Sequence, residues 1–105
     1  MTEPPGSPSP RRWLVTRRSR AGTEDAALLA ALDARARAAG AVLTVLLLGS
    51  ATYDLEAASP GAAEVVGLRE EVEGRGVRPA LGARLVDYPE LVRLLFEADR
   101  VMELG

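Results

Sequence analysis

Ala41-Val42-Leu43-Thr44-Val45-Leu46-Leu47-Leu48 decides the fold class. The stretch is Val and Leu with a single Thr and no polar alternation. A strand with one wet face alternates apolar and polar residues, whereas a continuous apolar run marks a strand covered on both faces. Parallel sheets with helices on either side provide that environment. Gly49-Ser50-Ala51 ends the run.

Working outward from this strand, Ala26–Ala39 is strongly helical in propensity, with Leu28, Leu32, Ala36 and Ala39 recurring at helical spacing and Gly40 placed to stop it. Thr23-Glu24-Asp25 has the form of an N-cap followed by acids in the first turn. Arg17–Gly22 reads as a polar loop, and Trp13-Leu14-Val15-Thr16 as a short buried strand before it. Beyond the central run, Thr52–Ala58 is a short helical or irregular piece, and Ser59-Pro60-Gly61 a turn. Glu64–Leu68 predicts a third strand, Arg69–Glu73 a charged helix closed by Gly74-Arg75-Gly76, and Leu85-Val86 a fourth strand. Asp87-Tyr88-Pro89-Glu90 has capping-box form, with Asp87 as the cap and Glu90 three positions on. A helix to about Ala98 and a short strand at Arg100-Val101-Met102 complete the pattern. Strands alternating with helices predict a small three-layer α/β domain, mainly a parallel sheet with helices on both faces. Strand order does not follow from the pattern.

The 105 residues fit one domain, expected over residues 11–105. Residues 1–10 hold four prolines, two serines and a glycine and read as a disordered leader. No apolar run approaches the roughly 20 residues of a bilayer crossing, and no secretory h-region precedes the first strand, so a cytoplasmic location is expected.

Absent residue types limit the chemistry most. The sequence has no Cys, His or Lys; all 13 basic residues are Arg. That removes thiolate nucleophiles, imidazole bases, Schiff-base amines and Cys/His metal sites. No catalytic residue, metal or cofactor is therefore expected, and no enzymatic activity of the chain's own. The net charge of −2 hides an asymmetry: residues 1–20 carry five Arg against one Glu, and the remainder eight Arg against 14 acids. The arm lacks the aromatic interleaving of strand binders, so direct nucleic-acid contact is not expected.

The last helix carries an apolar arc roughly 200° wide, where a monomer's surface helix needs little more than about 100°. Tyr88, Leu91, Val92 and Leu95 form its stripe, widened by Leu94 and Ala98 on one side and Phe96 on the other. One reading is a well-buried core helix. The other makes part of the arc a subunit interface, with Leu94, Phe96 and Ala98 as candidates.

At this point a resemblance enters. Val65-Val66-Gly67-Leu68-Arg69-Glu70-Glu71-Val72-Glu73-Gly74-Arg75-Gly76 is similar to the strand and acidic helix ending in Arg-Gly of DsrH/TusB proteins. Leu85-Val86-Asp87-Tyr88-Pro89-Glu90-Leu91-Val92-Arg93-Leu94 resembles that family's next strand-to-helix element. The likeness runs from about Arg12 to Leu104 and is strongest over residues 65–102. It departs in the Pro-rich leader and in ending Met102-Glu103-Leu104-Gly105, where the family often ends in Trp. The resemblance implies the DsrE/DsrF/DsrH fold and a subunit of a hexameric persulfide relay. Such a relay serves tRNA 2-thiouridine formation or dissimilatory sulfur oxidation. The implied partners are DsrE/TusD-like and DsrF/TusC-like subunits, the former carrying the reactive cysteine. With no cysteine, this chain would complete the assembly without holding sulfur.

Two smaller features remain. Arg17, Arg18, Ser19 and Arg20, ahead of a helix, form a candidate anion site, although phosphate-binding glycine patterns are absent and a solvated basic loop is the plainer reading. Asp54 and Asp87 both follow strands and could meet at the sheet's carboxyl edge, as the carboxylate pair of a Mg²⁺-dependent hydrolase or transferase would. A stand-alone anion-binding or regulatory module, homo-oligomeric or not, is the alternative to the relay subunit.

Overall fold

The structure, a computed structural model, describes residues 11–20, 25–57 and 64–104. The expected leader, the cap residues Thr23 and Glu24 and the turn at Ser59-Pro60-Gly61 lie outside the described residues. Strand β1 spans Arg11–Arg17, helix α1 Asp25–Ala38 and strand β2 Ala41–Leu47. A 3₁₀ segment follows at Gly49–Ala57, then β3 at Glu64–Leu68, α2 at Arg69–Arg75, β4 at Ala83–Val86, α3 at Tyr88–Glu97 and β5 at Arg100–Glu103. The expected α/β class holds.

All five strands run parallel in the order β4-β3-β2-β1-β5. Three successive crossovers step one way from β1 to β4, and the fourth returns past β1 to place β5. Right-handed crossovers put connections of opposite direction on opposite faces. The core obeys this. Leu29, Leu32 and Ala36 of α1, Ala51 and Leu55 of the 3₁₀ segment, and Val72 of α2 pack against Val15, Leu43, Val45 and Leu47. Leu91 and Leu94 of α3 pack against Leu14, Leu46, Val66, Leu68 and Val86 on the other face. Among the described residues, one sheet face thus has three covering segments and the other a single helix.

β2 is buried at every position except Val42, as a strand covered on both faces must be. Its one polar residue, Thr44, is fully buried and bonded: Arg12 Nη1 donates to Thr44 Oγ1 at 2.8 Å and to Glu64 Oε1 at 2.9 Å. Most buried hydroxyls are paired in this way. The β5 edge is tied by a reciprocal pair of bonds between Arg12 and Asp99, one to a side chain and one along the backbone. Arg12 N–H donates to Asp99 Oδ2 and Asp99 N–H to the Arg12 carbonyl, while the Arg100 guanidinium lies 4.9 Å from the Trp13 ring centroid.

Several local expectations shift. α1 meets the sheet through Leu29, Leu32 and Ala36, whereas Leu28 and Ala39 are exposed. The i, i+3, i+7 row that faces the core is therefore rotated from the one expected, because a helix this rich in alanine presents almost no polar face to fix its roll. Arg17 belongs to β1 rather than to the loop, and Arg75 to α2. Gly40 and Gly76 stop α1 and α2 at positive φ, 74° and 65°, the left-handed conformation glycine adopts most readily.

Candidate functional site

In parallel α/β sheets, ligands bind beyond the carboxyl ends of the strands. Here that edge gathers Arg17 at the end of β1 and Arg18 after it, Leu48 and Gly49 after β2, Leu68 at the end of β3, and Asp87 and Tyr88 after β4. Gly49 sits at φ 54°, and a Cβ there would lie 3.3 Å from the Arg18 carbonyl oxygen. The chain after β2 therefore runs close against the chain after β1. Leu48 N–H donates to the Arg17 carbonyl at 2.8 Å and Ala51 N–H to the Arg18 carbonyl at 3.2 Å.

The arginines of the expected anion loop divide. Arg17 is buried at 4% exposure; its Nη1 lies 3.5 Å from Asp54 Oδ2 and its Nη2 donates to the Ser19 carbonyl at 2.9 Å. Arg20 Nε lies 3.2 Å from Asp54 Oδ1. Arg17, Ser19 and Arg20 are thus joined to one another and to Asp54 rather than arrayed around an external anion. Arg18 is exposed, makes no side-chain ion pair among the described residues, and lines a cleft of about 270 Å³ with Leu48, Leu68, Glu71, Tyr88 and Leu91. Glu71 is neutralised within α2 by Arg75, whose Nε lies 2.9 Å from its Oε2 and whose guanidinium stands 5.5 Å from the Tyr53 ring centroid. The hydrogen bond that Arg75 donates to Glu71, aided by one with Tyr53, raises the Arg75 pKa above its ordinary value.

Asp54 and Asp87 do not act together. Asp54 answers Arg17 and Arg20, while Asp87 Oδ1 accepts from the Glu90 N–H at 2.9 Å and caps α3 as expected. Glu90 completes only half of a capping box: its carboxylate accepts from Arg84 and Arg93 instead of turning back to the cap N–H. Among the described residues, no group of three or more acids is placed to hold a metal ion, and no helix is long and apolar enough to cross a membrane.

The wide arc of α3 splits lengthwise. Leu91 and Leu94 are buried and Ala98 packs beside them. Leu94 is only 4% exposed and lies in its own chain's core, which corrects its place in the expected interface. Tyr88, Val92, Leu95 and Phe96 are exposed, Phe96 at 85%. They fall at i, i+4, i+7 and i+8, a continuous outer stripe. Of the expected interface residues, Phe96 is in that stripe, Leu94 is not, and Ala98 is half-buried at the boundary. Tyr88, Val92 and Leu95 belong to the accessible set although the sequence placed them at the middle of the arc.

The fold can now be compared with known structures. The crystal structure of the YchN protein from E. coli superposes with a TM-score of 0.66 at 18% identity, covering 91% of this chain and 100% of that one. The two chains share a fold. No family model and no curated protein matches the sequence. The likeness is therefore one of fold, carried by shape rather than by sequence identity.

Proposed function

We propose that this chain is a non-catalytic, DsrH/TusB-like subunit of a cytoplasmic persulfide-transfer assembly, serving tRNA 2-thiouridine formation or dissimilatory sulfur oxidation. The observation that carries the reading is the outer stripe of α3. Large apolar side chains exposed in a continuous row along one helix mark an association face. The DsrE-like fold supplies the context, and the composition supplies the role. A chain without Cys, His or Lys holds no persulfide and activates none, so the reactive sulfur resides on a DsrE/TusD-like partner, with a DsrF/TusC-like subunit completing the complex.

Co-expression with cysteine-bearing DsrE-like and DsrF-like subunits tests it. A stable complex is expected, and Val92→Asp with Phe96→Asp should abolish it while leaving the isolated chain folded, since both side chains are already in water. A chain that stays strictly monomeric beside such partners would sink the reading.

A further inference from the structure

We propose that the cleft at the carboxyl edge of the sheet is a binding site for a small organic monoanion: one carboxylate-like group on a short apolar body. The inference is independent of the relay reading and rests on how charge is distributed around the cleft. Arg17 and Arg20 converge on Asp54, and Glu71 is held by Arg75. Among the described residues no acid pairs with Arg18, which lines the cleft beside Tyr88.

The floor restricts the anion further. Leu68 and Leu91 are buried core residues that line the base of this opening, and Leu48 is half-buried beside them. A bare phosphate or sulfate over leucine side chains would lose hydration that the floor cannot replace. A ligand that presents its charge to Arg18 and its carbon chain to the leucines satisfies both halves. Small-molecule sites usually measure roughly 300–1,000 Å³; at about 270 Å³ this one takes a short-chain acid and not a nucleotide. The close approach of Gly49 and the Ala51 bond to its carbonyl fix the backbone of Arg18 at the cleft's rim.

Titration of the full chain followed by amide and methyl NMR tests this, with hexanoate as probe and with inorganic phosphate and hexanol as the charge-only and apolar-only comparisons. Hexanoate is expected to shift Gly49, Leu68 and Leu91 saturably in the millimolar range, more tightly than either comparison. Arg18→Ala should weaken it about tenfold or more, the scale of a charge-assisted hydrogen bond, and Arg20→Ala should leave it unchanged. Tyr88→Phe should weaken it by a smaller factor. Absence of saturation by hexanoate up to about 10 mM, equal binding by phosphate, or full affinity in Arg18→Ala would each overturn the proposal.

Discussion

Leu55 occupies the space that a Cβ on Gly67 would need. Gly67 lies mid-strand in β3, and Leu55, fully buried, reaches down onto it from the 3₁₀ segment. The contact seats that segment flat on the sheet, and the segment in turn carries Asp54 to Arg17 and Arg20. A glycine within a strand weakens it intrinsically, and close approach of another element is the usual reason for keeping one.

Gly67→Ala is therefore expected to destabilise the fold by about 1–3 kcal/mol, the range of overpacking a filled core. Leu55 has no exposed side to turn toward, so the added methyl displaces the segment as a whole. Urea denaturation measures this, and Gly67→Ala with Leu55→Ala should recover part of the loss. An unchanged midpoint in the single variant would show that Leu55 does not fix the segment's height.

Asp54→Ala should cost about 1–3 kcal/mol by chemical denaturation. The loss is below the 3–5 kcal/mol or so of a wholly buried pair, because Arg17 keeps the Ser19 carbonyl and Asp54 is partly in water. Arg20→Ala, removing the exposed partner of the same carboxylate, should change stability by less than about 1 kcal/mol. Equal losses in the two variants would contradict the burial difference between the arginines.

Within α3, two neighbouring large side chains should behave oppositely. Leu94→Ala removes a side chain from the core and should cost about 2–5 kcal/mol. Phe96→Ala should alter the stability of the isolated chain by no more than about 0.5 kcal/mol. Thermal unfolding of the separate chain distinguishes them. A large loss in Phe96→Ala would mean that the outer stripe is covered by the chain itself.

The sequence by itself determined the elements and their class. Val and Leu without alternation at residues 41–48 demanded cover on both faces. Glycines at 40 and 76 marked helix ends because they adopt positive φ, and Asp87 announced its cap through local spacing. All of these depend on interactions within a few residues. The strand order, the split of the α3 arc into Leu94 inside and Phe96 outside, and the division of the arginines into Arg17 and Arg20 on Asp54 with Arg18 apart belong to the tertiary structure. Each depends on which distant residue arrives at a given face: β5 returning past β1 carries α3 to the far side of the sheet, and a residue 37 positions away meets Arg17. Helical spacing describes the whole width of an apolar arc, but only the surface it packs against selects which part is left for water or a partner.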